Sequence, residues 1–391
     1  MPPHGPDTPF LWRAANPRLG AVSPLDPSLR LADAPPAPEL VARVDEVLRS
    51  GGVAALPTET VYGLAARADD PRAVAALVQL KNKPAGSPLT WHVGRREALA
   101  DFPRIPPTVR RLVERYWPGP LTLVLPGVPA GLGPIADDGW TGIRFPAHRG
   151  TAELLAQLDY PVAMTSANEH NEAPASDAAE VERVFEGRVA LVVDGGAARL
   201  GESSAVLRLG EGRFELLREG LVSPADLRRT AGLRIAFVCT GNTCRSPMAE
   251  GLAVRLIAER LGWKPERGDP REHLALFGFE VSSMGVAAGH GGPPASHAVD
   301  VLRSAGMDIS GHRSQPVIPE RVATLDRIYC LTASHRAMLL GVLPPSAGER
   351  VELLDPEGSD VPDPIGGGPE VYRACAEAIA GFLKSRLGDW A

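Results

Sequence analysis

The sequence predicts an α/β protein made of two domains. Three observations predict it. The chain has 391 residues, too many for one ordinary hydrophobic core. Short apolar runs closed by glycine, proline or asparagine alternate with stretches whose apolar residues recur at helical spacing. A boundary falls near "LRRTAGLR", residues 227–234, after which strand–loop–helix order begins again.

Taken in order, residues 1–37 are proline-rich with little periodicity and read as a tail or loosely packed arm. "PELVARVDEVLRSGG" is helical and stops at Gly51. "VAALPTET" is an apolar strand running into hydroxyls, and "DPRAVAALVQLKNK" enters a helix through Asp-Pro. "PLTWHVG", "LTLVLPG", "WTGIRFP", "PVAMTSAN" and "VALVVDGG" read as strands of a buried sheet. "SAVLRLGEGRFELLREG" is a hairpin turning at Gly-Glu-Gly. Beyond the boundary come strand "RIAFVC", helix "SPMAEGLAVRLIAERLG", helix "HAVDVLRSAG", strand "LDRIYCLT" and a long C-terminal helix. That order implies a doubly wound parallel sheet. The stretch 264–275 reads as a surface insertion.

Bulk composition narrows the function classes. A formal charge of −6 disfavours a broad nucleic-acid or membrane-surface role. Four scattered cysteines, Cys239, Cys244, Cys330 and Cys375, are too few for a disulfide framework. There is no apolar run of transmembrane length, and the first residues lack a signal-peptide pattern. The expected address is the cytoplasm, with no membrane partner.

"AFVCTGNTCRSPMAEGL", 236–252, places a strand, a polar turn and a helix start in succession. Backbone N–H groups of such a turn converge on an anion. Cys239 opens the cradle, where its thiol becomes a thiolate nucleophile. Arg245 offers a planar fork to phosphoryl oxygens. Ser246 can hydrogen-bond the sulfur, and Asn242 can brace the loop formed with Thr240, Gly241, Thr243 and Cys244. A zinc site would need further close ligands, which do not flank the loop, and no C-x-x-C redox pair occurs.

These residues resemble the low-molecular-weight protein phosphatases over about 232–391. The resemblance implies a cysteinyl-phosphate intermediate, no cofactor, and an Asp-Pro acid near the C-terminus. Of Asp355-Pro356 and Asp363-Pro364, "DVPDPIGGGPEVY" at 360–372 matches the acid loop, so Asp363 is the expected general acid. "CTGNTCRSP" is similar to the bacterial protein-arginine phosphatases, whose threonine at the place of Thr243 helps select phosphoarginine; phosphotyrosine is the other candidate. Ile365 stands where an aromatic residue is usual, and "SSMGV" departs from the family's pattern. Cys330 and Cys375 read as core residues, and Cys244 as a loop residue able to shield Cys239 in a reversible disulfide.

The first half carries weaker signals that gain weight together. "LPTETVYGL", "QLKNKPAGSPLTWHV", "PGPLTLVL", "IRFP", "VAMTSAN" and "DGGAARLGESSAVLRL" occur in that order. They resemble the threonylcarbamoyl-AMP synthase, or YrdC-like, family over about 38–228, with a twisted mixed sheet and helices. The family condenses L-threonine, bicarbonate and ATP, carried with Mg2+, to threonylcarbamoyl-adenylate and pyrophosphate. The product feeds tRNA threonylcarbamoyladenosine modification, so the link to tRNA is indirect. The resemblance implies that Lys81, Lys83, Ser87, Ser166, Asn168 and Arg218 bind ATP, and that Thr60, His92, Arg144 and Ser204 hold threonine or carbamate. Lys83 replaces an arginine of the family's K-x-R, Ser87 a common asparagine, and "NEAPAS" the usual sequence after S-x-N.

The expected whole is a bifunctional enzyme acting on a phosphoprotein and on ATP. A rival reading makes the first half a non-catalytic nucleotide- or RNA-binding module delivering the phosphatase. Acidic residues outnumber basic ones over 38–228, against broad RNA binding.

Overall fold

In a computed structural model of the chain, residues 30–169 and 172–391 are described. They form two compact units, the first built mainly from residues up to 224 and the second mainly from 225 onward.

The first unit is a mixed sheet with helices. Its strands are β1 (Ala54–Leu56), β2 (Gly63–Arg67), β3 (Thr90–His92), β4 (Leu121–Pro126), β5 (Trp140–Arg144), β6 (Val162–Ser166), β7 (Leu191–Val192), β8 (Ala205–Gly210) and β9 (Arg213–Arg218). Among the described residues they lie in the order β7-β1-β2-β6-β3-β5-β4-β8-β9. The β1–β2, β2–β6, β3–β6 and β4–β5 pairs are antiparallel, while β1–β7, β3–β5 and β4–β8 are parallel. The helix Pro38–Arg49 starts on proline, whose missing N–H costs nothing there. It buries Leu40, Val44, Val47 and Leu48 at helical spacing against Leu56, Met164 and Leu191. Asp70 caps the helix Pro71–Leu80 by accepting from the Arg72 N–H.

Two expectations need correction or delimiting. The proline-rich stretch expected over 1–37 lies outside the described residues as far as 29. From residue 30 it is not a loose arm. The Leu31 N–H donates to the Asp194 carbonyl at 2.8 Å, and its side chain is 1% exposed within the core. One leucine among prolines has no periodicity to reveal it, yet its burial removes a full side chain from water.

The second unit has a parallel sheet of β10 (Arg234–Cys239), β11 (Glu280–Gly285), β12 (Arg327–Cys330) and β13 (Val351–Leu353). The order is β11-β10-β12-β13. All three pairs are parallel. Being buried by helices, β10 reads as a nearly unbroken apolar run. Phe237, Tyr329 and Trp390 form an aromatic cluster in which the Trp390 Nε1–H donates to the Tyr329 hydroxyl at 3.0 Å. The stretch 264–275 is more than an insertion. Asp269 caps a helix, Pro270–Leu276, that buries His273 and Leu274. No helix among the described residues is long and apolar enough to cross a membrane.

Candidate active sites

In the first unit one face of the sheet builds a cavity of about 220 Å3. Side chains two residues apart on a strand share a face. Thr90 and His92 of β3, Trp140 and Arg144 of β5, Thr122 and Val124 of β4, and Val206 and Arg208 of β8 therefore all line it. Gly142, between Trp140 and Arg144, leaves the middle of the floor open. Ser166 closes the end of β6, and Lys83 and Arg218 complete the rim.

Among the described residues the charge in this cavity is mostly positive: Lys83, Arg144, Arg208 and Arg218 face one carboxylate, Asp137. Arg144 is 5% exposed and braced. Its Nη2 donates to Glu59 at 2.7 Å and to the Thr60 hydroxyl at 2.8 Å. Glu59 also accepts from the Ala147 N–H at 2.9 Å. Arg218 donates to the carbonyl and to the hydroxyl of Ser204, each at 3.1 Å. Ser204 in turn meets Thr122 at 2.9 Å. Burial lowers the affinity of Arg218 for its proton, and Arg144 adds to this.

Lys81 lies just beneath, 1% exposed. Its Nζ donates to the Ser166 carbonyl and, at 2.8 Å, to Asn168 Oδ1. Burial, with help from Lys83 and Arg218, lowers its pKa to about 7. The surrounding oxygens pull the other way, because they accept best from an ammonium. His92 is pushed down to about 3 by burial and by Arg144, so it is neutral at physiological pH. Burial and Arg218 also lower Lys83.

The cavity thus gathers Lys83, Ser166, Arg218, His92, Arg144 and Ser204. Lys81, Asn168 and Thr60 support it from behind through the bonds just given. Ser87 is not part of the lining, since its hydroxyl closes a turn onto the Pro84 carbonyl at 2.7 Å. Glu59 was missed, although it sits inside "LPTETVYGL"; its role as partner of Arg144 spans 85 residues of sequence. Trp140 and Arg208 were also missed. The Arg208 guanidinium lies 5.4 Å from the Trp140 ring centre.

In the second unit Cys239 ends β10 and is 3% exposed. Its Sγ is 2.9 Å from Ser246 Oγ, and the Asn242 N–H donates to it at 3.3 Å. Asn242 is fully buried, with φ of 54°. Its amide donates to Ser246 Oγ at 2.9 Å and to Ser283 Oγ at 2.8 Å, and its Oδ1 accepts from the Gln315 N–H at 2.9 Å. Gly285 is needed where β11 meets this loop: a Cβ there would stand 2.4 Å from the Thr240 carbonyl oxygen.

Arg245 opens the helix Arg245–Arg260 and is 6% exposed. It donates to the Val361 carbonyl at 3.2 Å and to Asp363 Oδ2 at 2.5 Å. This pair brings the expected acid to the phosphate loop across 118 residues. Asp355 is elsewhere, accepting from the Glu357 and Ser359 N–H groups. Those bonds hold its carboxyl below the usual range. Thr243 Oγ1 lies 3.7 Å from Cys244 Sγ, whose other contact is the Tyr372 hydroxyl at 3.3 Å. Cys330 and Cys375 are buried, and burial pushes both thiols up to about 12. Ile365 is 72% exposed on the acid loop.

Fold and sites define a protein of two α/β units, each with a recessed cationic site beside hydroxyl and amide donors. A family model described as telomere recombination, Sua5–YciO–YrdC, matches residues 46–220. One described as low molecular weight phosphotyrosine protein phosphatase matches residues 234–387. A threonylcarbamoyl-AMP synthase of Thiobacillus denitrificans is 38% identical, covering 43% of this chain and 89% of the relative. A protein-arginine-phosphatase of Geobacillus stearothermophilus is 34% identical, covering 40% of this chain and 94% of the relative. A threonylcarbamoyl-AMP synthase of Pyrococcus abyssi is 35% identical over 53% of this chain, which spans 62% of that relative's length. The chain belongs to both families, the Sua5–YciO–YrdC family through its first half and the low-molecular-weight phosphatase family through its second.

Proposed function

We propose that the first unit condenses L-threonine, bicarbonate and ATP to threonylcarbamoyl-adenylate and pyrophosphate, and that the second hydrolyses phosphorylated arginine in proteins. The observation that carries the reading is the pair of oxyanion-suited sites: Lys83, Ser166, Arg144 and Arg218 on one cavity, and Cys239, Ser246 and Arg245 on one loop. The product of the first reaction would serve tRNA modification in the cytoplasm.

In the first site, the threonine amine takes up bicarbonate as a carbamate, with loss of water. A carbamate oxygen then attacks the α-phosphorus, forming an O–P bond as the bond to pyrophosphate breaks. Arg144, neutral His92 and Ser204 hold the threonine end, with Thr60 bracing Arg144 from behind. Lys83 and Arg218, with Lys81 buried behind Ser166, offset the phosphate charge, and Ser166, braced by Asn168, fixes the nucleotide. Preorganised charge and orientation supply the acceleration, and no protein nucleophile is required. Magnesium would enter on the triphosphate. Among the described residues the lining offers one carboxylate, Asp137, which suits an ion carried by substrate rather than one caged by protein.

In the second site, the Cys239 sulfur attacks phosphorus while Arg245 and the loop N–H groups take the equatorial oxygens. Asp363 gives its proton to the leaving nitrogen, then accepts one from the water that cleaves the S–P bond. Thr243 in the loop favours phosphoarginine over phosphotyrosine, while Ile365, exposed where an aromatic residue is usual, counts against it.

Two assays test this. Pyrophosphate release must require both threonine and bicarbonate, and release unaffected by omitting either excludes the synthase. Phosphoarginine must outcompete phosphotyrosine on the wild type, with the preference narrowed in Thr243→Ile; a preference unmoved by that substitution removes Thr243 as the selector.

A further inference from the structure

His335 is remote in sequence from the phosphate loop, and neither the sequence motifs nor the proposed mechanism assigns it a task. It is the third residue of the helix Ala333–Leu340. The start of that helix is pinned twice: the His335 N–H donates to Thr332 Oγ1 at 3.2 Å, and the Ala333 N–H to Asp360 Oδ1 at 2.7 Å. The side chain so fixed is 3% exposed. Its Nε2 lies 2.8 Å from the hydroxyl of Thr240, the residue that follows Cys239 and is itself exposed. Its Nδ1 is buried with no hydrogen-bond partner among the described residues.

Chemistry fixes the direction of this bond. Burial lowers the pKa of His335, Arg245 lowers it further, and Asp363 and Asp360 act the other way. In the neutral ring one nitrogen carries the proton. A proton on Nδ1 would leave a buried N–H with no acceptor, the rarer and costlier orphan. The proton therefore sits on Nε2 and is donated to Thr240 Oγ1. A charged ring would donate through the same atom, so the direction does not reverse with pH. The Thr240 hydroxyl has no other hydrogen-bond partner among the described residues. Its own proton is left for a group arriving at the exposed side, and phosphoryl oxygens are acceptors only.

We propose that His335 holds the Thr240 hydroxyl as a hydrogen-bond donor to the phosphoryl group attacked by Cys239. Thr240 is then a substrate contact and His335 its positioning residue. The inference rests on the phosphatase reading of the second unit.

The test is kcat/KM for hydrolysis of an aryl phosphate and of a phosphoarginine peptide by full-length variants, with melting curves to confirm folding. Thr240→Val and His335→Leu should each lose about tenfold, the worth of one hydrogen bond, while Thr240→Ser stays near wild type. The double variant Thr240→Val/His335→Leu should be no worse than either single one. His335→Gln, whose amide donates from a similar reach, should recover most of the loss seen in His335→Leu; a merely structural role would not distinguish donor from non-donor. Gln as poor as Leu, multiplying losses in the double variant, or an unchanged Thr240→Val would each overturn the inference while wild-type activity upholds the phosphatase reading. A wild type that hydrolyses neither substrate, or hydrolysis that survives in Cys239→Ser, overturns that reading and this inference with it.

Discussion

Replacing Asn242 with alanine should damage the second unit more than any other single loop substitution that spares the reacting groups. Two amide donations, to Ser246 and Ser283, are lost, at about 1 kcal/mol each. The Gln315 N–H loses its acceptor, Asn242 Oδ1, which adds about 1–3 kcal/mol. Alanine must also hold a φ of 54°, which asparagine tolerates and alanine does not, for another ~1 kcal/mol. The sum is roughly 4–6 kcal/mol, comparable with the stability of a whole domain. Asn242→Gly relieves the backbone strain but keeps the hydrogen-bond losses, so it should recover about 1 kcal/mol or less, offset by glycine's greater freedom when unfolded. Hydrogen exchange on peptides from 234–387 reads the stability of this unit separately from the other. Displacement of the loop that carries Cys239 should lower aryl phosphate hydrolysis roughly 100-fold in both variants. A loss under about 1 kcal/mol with hydrolysis intact would show that the loop does not depend on these bonds, and would refute the reasoning.

Other consequences concern the first unit. His92 has a folded pKa of about 3 against an ordinary 6.5, so the unfolded chain binds the extra proton between those values and stability falls as pH drops through that window. From pH 6.5 to 5 the loss should reach about 2 kcal/mol at most, and urea midpoints of His92→Gln should lack that slope. Lys81, near 7 when only protein surrounds it, should be pulled upward by bound triphosphate. ATP binding at pH 8 should then take up part of a proton, seen as a buffer-dependent calorimetric heat that vanishes in Lys81→Met. Glu59→Gln leaves Arg144 buried without its counter-charge and should cost about 3–5 kcal/mol, measured by hydrogen exchange over 46–220. A cost below about 1 kcal/mol would mean that Thr60 and Gly119 suffice to hold the guanidinium.

Much of this arrangement was legible in the sequence where the signal is local. The strand–turn–helix from Arg234 to Arg260 is a single continuous stretch, so the loop and its candidate residues could be read in one pass. Ser166 and Asn168 were legible for the same reason. What escaped depends on distant pairing. Glu59 means nothing until β5 brings Arg144 beside it, and His335 meets Thr240 only across 95 residues. Ser87, expected at the nucleotide from the family resemblance, closes its own turn onto Pro84, a local bond that a motif does not reveal. Leu31 was assigned to a tail because proline-rich surroundings give a single buried leucine no pattern to share.

The central claim is that one chain carries two chemically separate sites, each made to hold phosphorus oxyanions. One preparation of each protein, assayed both for threonine- and bicarbonate-dependent pyrophosphate release and for aryl phosphate hydrolysis, tests it most directly. Lys81→Met should lose the first activity and keep the second, and Cys239→Ser should do the reverse. Either variant losing both activities, or neither, would contradict the account.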